Sequence, residues 1–91
     1  MFSKPEQRLL NDPYFQIVRC NETFYELQSR NTLHYWMIRK NYNAESFRIE
    51  LHHKHKVHDY YHTQYRNVST VKKAIRIIKD HDQYVLNLLH Q

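Results

Sequence analysis

Not one of the 91 residues is glycine, although about 7% is usual. Every turn must therefore be made by Asn, Asp, Ser or Pro, and of these Asn and Asp tolerate the left-handed region best. A glycine-cradled phosphate site, whether a P-loop or a dinucleotide fingerprint, is excluded. Asn11-Asp12-Pro13, Asn21-Glu22, Ser29-Arg30-Asn31-Thr32 and Asn41-Tyr42-Asn43-Ala44 are the turn candidates. They divide the chain into short segments of the length expected for antiparallel neighbours.

A short helix opens the chain. Ser3 and Glu6 have capping-box spacing and Pro5 suits a first turn, with Leu9 and Leu10 placed to dock. Phe15, Ile17 and Val18 form the first strand run, Phe24 to Gln28 the next, and Leu33 to Ile38 the third. Phe47, Ile49 and Leu51 alternate with Arg48, Glu50 and His52, the clearest period of two in the chain. Residues 53–67 carry no apolar period and read as a loop. Ser69 or Thr70 then caps a helix with Val71, Ala74, Ile75 and Ile78 on one face. Asp82 would continue that apolar stripe, and an unpaired buried carboxylate is too costly, so a break is expected near Asp80-His81-Asp82. The alternative is a continuous helix whose end projects from the body. The expected fold is α+β: a short N-terminal helix, a three- to four-stranded antiparallel sheet, and a C-terminal helix on one sheet face. The other face stays open to a partner.

This order fits a single small domain spanning 1–91. Eight Tyr, four Phe and one Trp separate the chain from disordered sequences despite its low mean hydropathy. Cys20 stands alone, which excludes an internal disulfide and a cysteine-only zinc site, and it reads as a small buried residue. No apolar run is long enough for a spanning helix. Met1 to Glu6 has no secretory apolar segment, so a cytoplasmic protein without membrane contact is expected.

Charge points toward a partner class. Residues 1–38 are neutral overall, whereas residues 39–79 carry ten Lys and Arg against three acids, a net +7. Solvation alone does not require one sign of charge. The expected function is a non-enzymatic basic module that binds nucleic acid mainly through phosphates. Lys54, Lys56, Arg66, Lys72, Lys73, Arg76 and Lys79 would supply cations, and Tyr60, Tyr61 and Tyr65 would stack or hydrogen-bond. The runner-up is a protein-interaction or inhibitory adaptor of the mobile-element type, using an exposed aromatic sheet face. The apolar end of the chain, through Val85, Leu86, Leu88 and Leu89, either docks on its own sheet or pairs with a protein partner or a second copy.

Five of eight histidines, His52, His53, His55, His58 and His62, fall within eleven residues. Imidazole suits zinc, copper or nickel, but a fixed third and fourth ligand is wanted and only Asp59 is near. The run reads as a solvated basic loop whose histidines are kept neutral by Lys54 and Lys56. Neither a metal site nor any cofactor is assigned. A His34 pairing with Glu26 or Glu50 would suffice for general acid–base work on a phosphodiester, though exposed charge pairs with Arg39 or Arg48 are the commoner meaning of such glutamates.

The stretches Asn31-Thr32-Leu33-His34-Tyr35-Trp36, Phe47 to His53 and Ser69-Thr70-Val71 resemble, as a pattern, the small toxin ribonucleases of the HicA type. That resemblance implies an α-β-β-β-α fold and matches His34 to the catalytic histidine of a small ribonuclease. Asn-Thr-Leu stands where the family has Gly-Ser before that histidine.

Overall fold

A computed structural model describes residues 1–42 and 47–90. The element order is α1 (Lys4–Leu10), β1 (Phe15–Cys20), β2 (Phe24–Ser29), β3 (Tyr35–Tyr42), β4 (Phe47–Lys54), β5 (His62–Val68) and α2 (Val71–Leu89). The class is α+β, but among the described residues the sheet has five strands, not three to four. They are antiparallel and lie in chain order, β1-β2-β3-β4-β5.

The turns show how a chain manages without glycine. Asn21 Oδ1 accepts from the Thr23 and Phe24 backbone amides and from the Thr23 hydroxyl. Asp12 Oδ1 accepts from the Tyr14 amide, and Asn31 Oδ1 from the Thr32 amide. Each side chain replaces a backbone acceptor in a tight turn. One position has no such device: Leu33 sits at φ 64°, in the left-handed region. A side chain there costs roughly 1–2 kcal/mol. Asn41 and Tyr42 extend β3, and the rest of the third expected turn, Asn43-Ala44, lies outside the described residues.

α1 carries the capping box expected of it, with Ser3 Oγ accepting from the Glu6 amide and Glu6 Oε1 from the Ser3 amide. Leu10 docks it fully, whereas Leu9 faces solvent. The β2–β3–β4 register puts Leu27, Trp36 and His53 in one row, and Tyr25, Ile38 and Leu51 in the next. Both rows point to the face beneath the helices, where they form the core with Val71, Ala74, Ile75 and Ile78 of α2. Burying each large aliphatic side chain contributes roughly 1.5–3 kcal/mol.

Three expectations need correction. Residues 53–67 are not one loop, because β4 runs on to Lys54 and His62–Val68 forms β5. β5 is an edge strand exposed at most positions and irregular in register against β4, so it lacks the two-residue apolar period that marks a half-buried strand. α2 does not break at Asp80-His81-Asp82 but continues to Leu89. Asp82 is fully buried and satisfied, accepting from the Tyr14 hydroxyl at 2.7 Å and the Thr32 hydroxyl at 3.0 Å. Hydrogen bonds from 68 and 50 residues away thus replace the water the carboxylate gave up. Cys20, finally, is exposed, at the end of an edge strand whose register slips between Ile17 and Arg19.

Candidate functional site

The residues proposed for nucleic-acid contact fall into separate groups. Lys72, Lys73 and Arg76 project from the first two turns of α2, where Thr70 caps the helix by accepting from the Lys73 amide. With Ser69, Thr70, Ile77 and Asp80 they line one shallow surface groove. Among the described residues none of the three forms an ion pair. Lys79 continues the ridge but is paired with Asp12 at 3.1 Å and lies over the Tyr14 ring. The Tyr14 amide and Lys79 hold the Asp12 carboxyl below its ordinary value.

The preceding segment goes elsewhere. Lys54 shares a row with Tyr35 on the sheet face away from α2. Its ammonium lies over the Tyr35 and Tyr61 rings and donates to the Val57 carbonyl. Tyr61 donates to Glu26 at 2.6 Å, and burial with that carboxylate raises its phenol above the usual range. Tyr60 is 96% exposed, Lys56 and Arg66 are exposed, and Tyr65 lines a different groove with Ile77, His81 and Tyr84. The structure therefore brings together the α2 cations and leaves Lys54 and Tyr61 on the opposite sheet face.

The same open face separates the two glutamates. Glu26 on β2 accepts from Arg19 Nε and Tyr61, and Glu50 on β4 contacts Arg48, His52 and Asn41, with β3 between them. Burial raises both carboxyls, but these donors outweigh it and hold both below the ordinary value. His34 joins neither glutamate.

His34 instead turns under α2, where the structure assembles a group that spacing alone did not show. The strained turn at Leu33 delivers it to the start of β3, and the Thr32 hydroxyl anchors that turn to Asp82. Its Nδ1 lies 3.0 Å from Nε2 of His53, which is 2% exposed on β4. His81 of α2 packs on both, with ring centroids 5.9 Å from His34 and 4.7 Å from His53. Trp36 packs against His53 at 4.1 Å and edge-on to His81 at 5.1 Å. His55 stacks on His34 at the exposed rim, and His62 meets His53 edge-on. Burial first, and neighbouring imidazoles second, push His53 down to about 3. Burial likewise lowers His34 and His81, against the opposing pull of Asp82. The main cause is desolvation and not the lysines of the sequence run. Nδ1 of His81 and Nε1 of Trp36 are buried, and neither finds a hydrogen-bond partner among the described residues.

Only His53 of the sequence run enters the buried trio. Its partners lie 19 residues before it and 28 after it, so no local spacing announced them. Among the described residues no helix is long and apolar enough to cross a membrane. No protein-family model matches the chain, and no curated protein or solved structure matches it.

Proposed function

We propose that the protein is a non-enzymatic basic module that holds nucleic acid through phosphate contacts on the first half of α2. The observation that carries this reading is the groove in which Lys72, Lys73 and Arg76 converge beside the Ser69 and Thr70 hydroxyls. Cations on one ridge can follow a phosphate backbone, and their affinity comes from counterion release without base readout. Lys54 and Tyr61 drop out of the contact surface, since the sheet separates them from this groove.

The test is a titration with single- and double-stranded DNA and RNA across a salt series. Binding should weaken steeply with salt, and Lys72→Ala and Arg76→Ala should each lower the slope of log K against log salt by about one. Lys54→Ala should change neither slope nor affinity. Absence of binding to all four nucleic acids at about 50 mM salt overturns the reading.

A protein-binding reading has its own observation. Tyr84, Leu88 and Leu89 are 64%, 49% and 73% exposed at the end of α2. These side chains offer an apolar contact to a protein partner or second copy, and Leu88→Asp would abolish such pairing in sedimentation analysis without touching the cationic groove.

A further inference from the structure

His34, His53 and His81 come from the turn before β3, from β4 and from α2, yet one ring nitrogen of each lies within 4.8 Å of the others. Imidazole nitrogens packed this closely have two uses. They hydrogen-bond through a shared proton, or they surround a cation. The His34 Nδ1 to His53 Nε2 contact of 3.0 Å satisfies one pair in the first way. It leaves the third ring unserved, since Nδ1 of His81 is buried without a partner among the described residues. A buried polar atom in that state gives up its water without compensation, which a structural packing role would not require.

We propose that His34, His53 and His81 form a three-nitrogen site for one divalent late transition-metal ion of the zinc type. Nitrogens on a tetrahedral ion with Zn–N bonds of about 2.0–2.1 Å stand about 3.3 Å apart. The close pair already has that spacing to within a few tenths of an ångström. The widest separation must close by about 1.5 Å, and the half-buried rings of His34 and His81 can turn to do so. A neutral imidazole offers its lone pair, and burial keeps all three rings toward that form. When the ion binds, the proton shared between His34 and His53 moves to the outer nitrogen of its own ring, so both lone pairs face the metal.

The surroundings suit an ion of this charge. Asp82 places a buried carboxylate beside the trio, held in place by Tyr14 and Thr32. Trp36 forms an apolar wall that fixes the ring planes of His53 and His81. The fourth coordination position opens toward the exposed rim, where His55 stacks on His34. It takes either His55 or a water molecule. Soft thiolate metals are disfavoured, because no cysteine is near and Cys20 lies at the end of edge strand β1.

The experiment is equilibrium dialysis and calorimetry of the full chain with zinc, with copper(II) as a second probe. One equivalent of zinc should bind saturably and raise the melting temperature. Trp36 is the only tryptophan, and its position against His53 means that one equivalent of copper(II) should quench its emission, with prior zinc blocking the quench. His34→Gln and His81→Gln should each weaken zinc binding by at least about 100-fold, whereas His58→Ala and His90→Ala, at exposed histidines, should leave it unchanged. His55→Ala should weaken binding moderately if His55 is the fourth ligand, and not at all if water is. Uptake that survives the His34 and His81 substitutions, or that disappears with His58, would place the metal on the exposed loop and overturn the proposal. So would an absence of one-equivalent zinc uptake by the wild-type chain, or copper that binds without dimming Trp36; both readouts stand even if a variant fails to fold.

Discussion

The two faces of the sheet treat their polar residues in opposite ways. On the open face Glu26 and Glu50 are each surrounded by donors: Arg19 and Tyr61 for one, Arg48, His52 and Asn41 for the other. Each carboxylate there is satisfied, and the polar atom that makes no hydrogen bond among the described residues, Nε of Arg48, still faces the Glu50 carboxylate at 3.4 Å. Beneath α2, three imidazoles converge in a low-dielectric layer and leave a ring nitrogen and an indole N–H without partners. Saturated networks rigidify a fold, whereas incomplete ones mark either strain or a missing ligand. The contrast directs attention to the histidines and away from the more visible charges.

Acid should separate the faces most strongly. His53 is a base held down to about 3 when folded, against 6.5 in the open chain. Below about 6.5 the unfolded chain takes up a proton that the folded chain refuses, so the metal-free protein should lose stability by up to about 1.4 kcal/mol per pH unit for this one group. The glutamates act later: their folded values lie below the ordinary 4.5, so the stability they add is full above that value and is lost as pH falls through the folded one. Chemical denaturation at a series of pH values should show the decline starting near 6.5. A flat profile down to 4.5 would break the comparison.

Asp82→Ala comes next. It strips the Tyr14 and Thr32 hydroxyls of their acceptor inside the core and should cost about 3 kcal/mol in urea denaturation. Glu26→Leu on the open face should cost only about 1 kcal/mol, since Arg19 is 64% exposed and returns to water. If Glu26→Leu proved the more damaging, the covered face would lose its special standing. The smallest effect sharpens the contrast by leaving both networks intact. Leu33 is 59% exposed and sits at φ 64°, so Leu33→Gly should raise stability by roughly 0.5–1 kcal/mol, the relief of strain less the added freedom of the unfolded chain.

Local rules were legible in the sequence where the chemistry is local. The Ser3–Glu6 box, the turns at Asn21 and Asn31 and the burial of Ile49 and Leu51 on β4 each depend on neighbours a few residues away, and each stands as expected. Elements whose support comes from afar were not legible. Asp82 looked like a helix breaker because Tyr14 and Thr32 belong to other segments. β5 looked like loop because only Val68 of its seven residues is buried. The dense run from His52 to His62 drew attention to itself, although only His53 enters the buried trio and its partners His34 and His81 stand singly in the chain. The convergence of cations was legible only in part: the α2 residues share a groove, while strand alternation sends Lys54 to the far side.

The sequential strand order has a kinetic consequence. Each strand finds its partner in the next stretch of chain, so the sheet can zip from any hairpin with short loops to close. The closures that span most of the chain join the approach to β1 with α2: the ion pair of Asp12 and Lys79, 67 residues apart, and the latch between Tyr14 and Asp82, 68 residues apart. That latch should form after the rate-limiting step, so the alanine variant at position 82 should unfold faster in stopped-flow measurements while folding at nearly the wild-type rate. The trio of imidazoles, which needs α2 seated, would then be the last part of the molecule to come into being and the first to come apart.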